Sequence, residues 1–245
     1  MKIIIPARKG SKGLPGKNAI LINHTLSTIP NYVKDNVIIT TNDGKVIDQS
    51  VGYKTLLRNS KLSGDNVSTK DVLLDVMEKY NIADEEIIMM LYLTYPERTW
   101  TDIEAALNFF IDNDAKSLLC RVKPKSHPYL CMFSEEGNKG KQIVEHNLYR
   151  RQDYPECFEL SHFICIFRAN ELEKLNKNLY NKDTIFYKIK RPMDYPKRKQ
   201  NTQCLSFYNN QKDSRTVPLQ TQFFSCNQYT SFHPKVLHAS LIFVL

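Results

Sequence analysis

The chain has 245 residues, of which 42% are hydrophobic and 24% are charged, as in soluble globular proteins with a sizeable core. No run approaches the ~20 apolar residues of a membrane helix, and the first residues lack the order of charged, apolar and small residues that marks a secretory signal. We therefore expect a cytoplasmic protein without a membrane partner. The six cysteines include no CxxC pair, which disfavours a structural zinc site.

The net charge of +8 is concentrated near the carboxyl end. Six cations and one anion follow Asp194, so residues 1–194 carry only +3. A basic nucleic-acid-binding protein is an alternative that this charge alone supports. Because the last segment accounts for most of the charge, the sequence favours a small polyanion such as a nucleotide over DNA or RNA.

Strand-like and helix-like segments alternate along the chain. In order they are KIIIPA (2–7), NVIITT (36–41), a helical repeat over 72–80 behind the cap candidates Ser68 and Thr69, EEIIMMLYL (85–93), a helix after Thr101, SLLCRVK (117–123) and ELSHFICIF (159–167). The helical segments repeat apolar residues every three or four positions. The run at 85–93 is typical of a central parallel strand covered on both faces. This alternation predicts an α/β fold with a doubly wound, mostly parallel sheet.

Changes in composition divide the chain into three parts. Residues 1–196 are predicted to form the main domain. Within it, residues 124–160 are rich in turns and polar residues, and we expect them to be a small dimerisation insertion. Residues 197–245 lack glycine and show no clear periodicity, which predicts either poor order or a segment foreign to the fold.

A basic, glycine-rich loop follows the first strand. The segment ARKGSKGLPGKN places three glycines among four cations: Gly10, Gly13 and Gly16 among Arg8, Lys9, Lys12 and Lys17. The glycine spacing fits neither the phosphate loop of NTPases nor the dinucleotide fingerprint. A solvated turn is one interpretation. However, ligands of doubly wound sheets bind at the carboxyl ends of strands, and glycine amides beside cations are suited to cradle a triphosphate there.

The loop resembles the signature of the CMP-sialic acid synthetases, or acylneuraminate cytidylyltransferases, and enzymes that activate KDO share a looser form. Similar segments continue over residues 3–195: TTNDGKVID, LLRNSKLSGDNVSTKDVL, LTYPERT, HPY, RRQDYP and RPMD. The resemblance implies a Rossmann-like nucleotidyltransferase that is a homodimer. Such an enzyme transfers CMP from CTP to a nine-carbon 2-keto sugar acid and releases pyrophosphate, with Mg²⁺ as the cofactor. Cations and Mg²⁺ would stabilise the charge that builds on the phosphate oxygens.

The resemblance gives the loop residues roles around CTP. Lys17 is assigned to the charge developing at the α-phosphate, and Arg8 to phosphate or nucleotide binding. Lys12 matches another position around the triphosphate. Ser11 and Asn18 match positions that hydrogen-bond the nucleotide.

A second group of residues matches the cytosine-reading segment of the family. It consists of Arg58, Ser68 and Thr69. Two structural roles compete with this assignment, because Arg58 follows a predicted strand and the Ser68–Thr69 pair could cap the next helix.

The residues assigned to the sugar acid are more scattered. Arg151 and Gln152 match a pair that the family presents to the acceptor, often across a dimer interface, and an arginine fork suits a carboxylate. A surface arginine is the alternative. Tyr92 replaces a glutamine associated with the sugar site, and Ser161 and His162 replace an Asn-Gly pair near it. These replacements predict a legionaminic- or pseudaminic-type acceptor rather than N-acetylneuraminic acid.

One aspartate of the family's metal pair is retained. Asp194 matches the first, and Pro196 stands at the place of the second. Asp194 is therefore the predicted Mg²⁺ ligand and, with Lys17 and Arg151, one of three residues given a catalytic role. Asp43 could assist at the metal or cap the helix that follows it.

The sequence therefore predicts a Mg²⁺-dependent transfer of CMP to a sialic-acid-like sugar acid for surface glycan biosynthesis, such as that of lipopolysaccharide or capsule. Two alternatives stay open besides the nucleic-acid binder. The replaced metal aspartate is compatible with a catalytically impaired protein that binds CTP or a CMP-sugar, and the looser motif is compatible with a KDO-type enzyme.

Overall fold

The computed structural model describes residues 1–11 and 14–189. Its strands are β1 Lys2–Pro6, β2 Val37–Thr41, β3 Lys54–Leu57, β4 Ile87–Met90, β5 Ser117–Val122, β6 Met132–Glu135, β7 Lys139–Gln142, β8 Glu159–Arg168 and β9 Ile185–Lys188. Its α-helices are α1 Lys17–Ser27, α2 Gly44–Gln49, α3 Thr69–Lys79 and α4 Trp100–Asp112. None of these helices has the length and apolar character required to cross a bilayer.

Seven of the described strands form one sheet in the order β3-β2-β1-β4-β8-β5-β9. Neighbouring strands of this sheet are parallel, except that β8 pairs antiparallel with both β4 and β5. The predicted α/β fold with a mostly parallel sheet is confirmed. The prediction for residues 85–93 was partly wrong, because the strand is only Ile87–Met90 and is parallel to β1 but antiparallel to β8.

The central strands are buried on both faces by helices and connecting segments. All five residues of β2 are buried, as are Ile3, Ile4 and Ile5 of β1. Two separate apolar clusters lie on the two faces of the sheet, one containing Ile3 and Ile5 and the other containing Ile4. Alternate residues of one strand face opposite sides, so this division is what a sheet covered on both sides requires.

The predicted start of α3 is present, whereas α4 begins at Trp100 and not after Thr101 as the sequence predicted. Ser68 and Thr99 cap α3 and α4, each in a reciprocal capping box with the aspartate three residues later. Asp43 caps α2 by accepting a hydrogen bond from the Lys45 amide at 3.1 Å. The capping roles that we considered for Ser68 and Asp43 are therefore observed.

The segment predicted as an insertion contains a separate two-stranded sheet, β6 and β7. Seven of its eight strand residues are exposed, including Met132 and Phe133 at 54% and 57%. An isolated hairpin is marginally stable in water. The exposure of these apolar side chains therefore identifies this part of the molecule as a candidate contact surface.

The burial of Cys120 and Cys165 in the central strands predicts how fast their thiols are alkylated. Burial raises the pKa of Cys120, in β5, to about 12 and raises the pKa of Cys165, in β8, well above its ordinary value. Cys131 and Cys157 are only partly buried. The thiolate is the reactive form of cysteine. Iodoacetamide at pH 8 is therefore expected to modify Cys120 and Cys165 at least about a hundredfold more slowly than Cys131 and Cys157. Peptide mapping by mass spectrometry measures this difference. The control is labelling in urea, where these four described cysteines should all react. Equal native rates would contradict the buried placement.

Candidate functional site

A cavity of about 450 Å³ lies at the carboxyl ends of the parallel strands. It is reached by Pro6 at the end of β1, by Arg58 directly after β3 and by Tyr92 shortly after β4. The start of α1 contributes Lys17 and Asn18. This is the edge at which doubly wound sheets bind ligands, and it is where the sequence placed the basic loop.

Hydrogen bonds at its base hold the described part of the glycine loop. The Asn18 side-chain amide donates to the Arg8 carbonyl at 2.8 Å, and the Lys9 amide donates to Asn42 Oδ1 at 2.7 Å. Gly10 and Gly16 have φ angles of 83° and 69°, which glycine adopts without the strain of a side chain. Both hydrogen bonds hold the beginning of the loop, one to α1 and the other to the residue that follows β2.

The start of α1 differs from the starts of the other α-helices. Its N-cap is Gly16, so it alone among the described α-helices has no side-chain cap, and like α2 it has no acidic residue in its first turn. The first amides of a helix carry partial positive charge and need acceptors from outside the helix. With Lys17 as its first residue, α1 presents amides and a cation at the cavity, which suits a phosphate group.

Arg8 lines the cavity and forms an ion pair with Asp65. Its Nη2 lies 2.8 Å from Asp65 Oδ1, and the two side chains are 33% and 42% exposed. A partly exposed pair of this kind contributes little to stability because water screens it. A phosphate oxygen could therefore replace the carboxylate at the Arg8 guanidinium at small cost.

Arg58 is the most buried cation of the cavity, with 6% of its surface exposed. Its Nη2 donates to the Thr40 carbonyl at 2.8 Å and its Nε to Thr40 Oγ1 at 3.3 Å. Burial, with a smaller contribution from the nearby positive charge of Arg8, lowers the pKa of Arg58 to about 10. Arg58 is therefore still charged at neutral pH. It has the structural role at a strand end that we considered, and it also faces the cavity.

A second part of the lining, formed by Thr69, Tyr92 and His162, is an aromatic wall. The Tyr92 hydroxyl and Thr69 Oγ1 lie 2.6 Å apart, and the Tyr92 ring makes an edge contact with His162 at 5.9 Å between ring centres. Burial raises the pKa of Tyr92 to about 12, so its hydroxyl is neutral at physiological pH. His162 Nε2 lies 2.9 Å from the Asn178 carbonyl, which can only accept, so this nitrogen carries the proton.

Arg98 supports this wall from behind. It is 3% exposed, and its two terminal nitrogens donate to the carbonyls of Phe163 at 2.7 Å and Tyr92 at 3.0 Å. Burial lowers its pKa to about 10, so it remains a cation. Arg98 thus joins the segment after β4 to β8, and these two segments supply Tyr92 and His162.

The structure brings together six of the residues predicted from sequence. Those that line the cavity are Arg8, Lys17, Asn18, Arg58, Thr69 and Tyr92. Ser68 does not line it and instead caps α3. Ser11 belongs to the loop but is not among the lining residues, and Lys12 and Asp194 lie outside the described residues.

Arg151 and Gln152 lie apart from this group. They belong to the insertion and are exposed, and Arg151 lines a different cavity, next to β5 and β9. Within one copy of the chain, the structure therefore does not bring them to the nucleotide side of the predicted site. Asp194, Lys12 and the end of the predicted main domain cannot be placed in the described part of the chain.

The described side chains do not by themselves fit a magnesium ion. The residues that line the cavity include three Arg and Lys side chains but no carboxylate. In residues 1–11 and 14–189, no group of three or more His, Cys, Asp and Glu side chains could hold a metal ion. Mg²⁺ prefers carboxylate and phosphate oxygens, and Asp43 is engaged as a helix cap.

The sequence reasoning missed the support of the aromatic wall and the partner of Arg8. Arg98 lies in the LTYPERT segment directly before the Thr99 cap, so a charged residue between a buried strand and a helix was the available signal. Nothing in the sequence pattern indicated that Asp65 would pair with Arg8. The cavity beside β5 and β9 was also missed, because it forms only where the basic segment 121–125 meets Arg151 and Lys188, which are distant in the chain.

A family model described as cytidylyltransferase matches residues 2–213. Among curated relatives, N-acylneuraminate cytidylyltransferase of Streptococcus agalactiae is 28% identical over 162 residues, which are 61% of this chain and 39% of that enzyme. CMP-N,N'-diacetyllegionaminic acid synthase of Legionella pneumophila is 27% identical, covering 72% of this chain and 75% of the enzyme. Pseudaminic acid cytidylyltransferase of Campylobacter jejuni is 26% identical, covering 63% and 72%. The chain thus spans about two fifths of the length of the streptococcal enzyme.

Two solved structures share the fold. The first is CMP:2-keto-3-deoxy-manno-octonic acid synthetase complexed with CTP, with a TM-score of 0.53 and 19% identity over 84% of this chain and 97% of that one. The other is 2-C-methyl-D-erythritol 4-phosphate cytidylyltransferase of Francisella tularensis, with a TM-score of 0.54 and 12% identity over 84% and 98%. At these identities the likeness is one of fold alone.

Proposed function

This chain belongs to the cytidylyltransferase family, of the CMP-sialic acid synthetase type, and we propose that it transfers CMP from CTP to a sialic-acid-like sugar acid. The curated relatives act on N-acylneuraminate, pseudaminic acid and legionaminic acid, as their names state. We propose that the acceptor is a nine-carbon acid of this group and that the product serves surface glycan biosynthesis. We also propose residues 1–196 as the catalytic domain and residues 124–160 as its insertion.

The observation that supports this proposal most strongly is the composition of the 450 Å³ cavity. Its described lining combines Arg8, Lys17 and Arg58 with the uncapped start of α1, and it contains no carboxylate. A triphosphate requires such a surface, because each phosphate oxygen needs a donor or a cation. The neutral wall of Thr69 and Tyr92 offers hydroxyl groups to the less charged parts of the substrates.

The proposed reaction follows from these positions. The anomeric hydroxyl of the sugar acid attacks the α-phosphorus of CTP, a new oxygen–phosphorus bond forms, the bond to the β-phosphate oxygen breaks, and pyrophosphate leaves while the hydroxyl loses its proton. Negative charge increases on the phosphate oxygens during this step. Lys17 and the α1 amides would stabilise that charge, and Arg8 would hold the outer phosphates after exchanging Asp65 for them.

The roles of the remaining predicted residues are part of the same proposal. Arg58, Thr69 and the Ser68 end of α3 would lie against the nucleotide, with Ser11, Lys12 and Asn18 around its phosphates. Mg²⁺, bound to the CTP phosphates and to Asp194, would neutralise part of the phosphate charge. No step above depends on that ion, because the described side chains do not form a site for it.

We propose that the acceptor site is completed in a homodimer. Arg151 and Gln152 are exposed and lie outside the nucleotide cavity of their own chain, so they would reach the sugar acid only from a second copy. The insertion also carries a group of exposed apolar side chains: Leu130, Met132, Phe133, Ile143, Val144, Leu148, Tyr149 and Phe158. A surface of this kind is expected to be covered by a partner.

The dimer can be tested on the hairpin itself. We expect the wild-type chain to sediment as a dimer and the double variant Met132→Asp/Phe133→Asp to sediment as a monomer, because two charges would have to be buried at the contact. A circular dichroism spectrum checks that the variant is folded, and Tyr32→Asp, an exposed aromatic residue in the segment between α1 and β2, is the matched control. A monomeric wild-type chain would contradict the proposal.

The activity is tested by measuring pyrophosphate release with CTP, Mg²⁺ and a panel of acceptors. We expect turnover with a nine-carbon acid of the sialic, legionaminic or pseudaminic type. Turnover with KDO alone would support the KDO-type alternative. CTP binding without any turnover would support the catalytically impaired alternative, and salt-sensitive binding of RNA or DNA without preference for CTP would support the nucleic-acid binder.

A further inference from the structure

A second, larger cavity of about 730 Å³ lies beside the carboxyl ends of β5 and β9, where the insertion joins the sheet. It shares no lining residue with the nucleotide cavity in the described part of the chain. Five cations line it: Arg121, Lys123, Lys125, Arg151 and Lys188. Glu156 is the single carboxylate among its lining residues, and no described ion pair joins Glu156 to these cations.

Arg121 is held in this cavity without a partner for one of its donors. Its Nε is buried and has no hydrogen-bond partner among the described residues, while its guanidinium lies 5.2 Å from the centre of the Phe158 ring. Buried donors in native proteins are almost always hydrogen-bonded to protein, water or ligand. The face of an aromatic ring stabilises the guanidinium cation. It does not give the Arg121 Nε–H group the acceptor that an oxygen of a bound anion would provide.

Arg121 and Lys188 are placed side by side by the sheet itself. They are register partners on the adjacent parallel strands β5 and β9, so their side chains leave the same face, and both line the cavity. Like charges on neighbouring strand positions are destabilising. An anion bound between them would reverse the sign of this interaction.

We propose that this cavity binds a phosphorylated small molecule. Arginine offers a fork of donors and the lysines offer point charges, and both groups are suited to phosphate oxygens. Even without Arg151, which the proposed dimer presents to the acceptor site of the second copy, four cations face one carboxylate here. That is more than the single charge of a sugar acid needs and is enough for the several charges of a diphosphate. Inorganic pyrophosphate and the phosphates of a nucleotide share this chemistry.

The test uses the full chain with Lys17 replaced, so that all of the variants compared have the same nucleotide cavity. We expect the Lys17→Ala variant to bind inorganic pyrophosphate in isothermal titration calorimetry. The triple variant Lys17→Ala/Lys123→Ala/Lys188→Ala should bind it at least about tenfold more weakly, since each added substitution removes a charge-assisted contact. The matched control is Lys17→Ala/Lys54→Ala/Lys79→Ala, which removes two exposed cations that line neither cavity, one in β3 and one at the end of α3, and should bind like Lys17→Ala.

A titration of the same variants with CTP distinguishes the two sources of phosphate. Lysine-dependent binding of CTP as tight as that of pyrophosphate would assign the site to a nucleotide, and lysine-dependent binding of pyrophosphate alone would assign it to the inorganic anion. The proposal is wrong if the Lys17→Ala variant binds neither ligand, or if the triple variant and its control lose affinity equally. It does not depend on the proposed function, which is judged by wild-type turnover.

Discussion

Replacing Lys17 by alanine is expected to lower kcat/KM for CMP transfer by about a thousandfold while leaving the fold intact. Lys17 is the first residue of α1 and lines the cavity at the uncapped start of that helix. Removing a single group that stabilises developing charge on an oxyanion typically costs two to three orders of magnitude in rate. Steady-state kinetics with CTP and the preferred acceptor measure this loss.

The control for this variant is Lys45→Ala. Lys45 lies in the first turn of α2, is exposed and does not line the cavity, so its removal subtracts the same charge from the start of a neighbouring helix. We expect its kcat/KM to stay within about twofold of the wild-type value. Unaltered kinetics in Lys17→Ala, with a folded protein, would remove the glycine loop from the chemical step.

Replacing Arg98 by alanine is expected to lower the free energy of unfolding by about 3 kcal/mol, because the change leaves a cavity and removes two charged hydrogen bonds. The carbonyls of Tyr92 and Phe163 would both lose their donor. Urea denaturation measures the loss. Arg98→Lys should recover only part of it, since an ammonium group does not reproduce the fork of a guanidinium.

Arg150 provides the matched control for Arg98. It also makes two hydrogen bonds, both to Asp153 at 2.8 Å, but its side chain is 59% exposed. We expect Arg150→Ala to change the free energy of unfolding by less than about 0.5 kcal/mol, as is usual for exposed pairs. Similar losses in the two variants would mean that burial does not set the contribution of Arg98.

The sequence was sufficient for the features that local patterns determine. The isoleucines of β1, the cap Ser68 and the alternation of strands with helices are short-range signals, and each is present in the structure. The start of α4 was less well predicted, because the helix begins at Trp100 behind Thr99 and not after Thr101. The same holds for the cavity, because a basic loop after a parallel strand must lie at the carboxyl edge of the sheet. Arg8, Lys17 and Asn18 line the cavity for that reason, and their roles around CTP stay predictions.

The features that the sequence did not predict depend on contacts between distant segments. The pairing of β8 with both β4 and β5 joins strands that are up to about eighty residues apart in the chain, and no local pattern encodes it. The Arg98 side chain donates to the Phe163 carbonyl, which lies 65 residues further along the chain. Arg121 and Lys188 become neighbours only when β5 and β9 pair.

The antiparallel strand β8 has a mechanical consequence. It begins at Glu159, at the end of the predicted insertion, and its fourth residue is His162, which lines the nucleotide cavity. The last residue of the predicted insertion is therefore only two residues from His162, and adding or deleting one residue at this junction would turn every subsequent side chain of the strand to the opposite face. If the insertion were exchanged for that of a relative, changes in length between β6 and β7 should therefore be tolerated. The number of residues directly before β8 would have to stay the same for His162 to keep its place in the cavity.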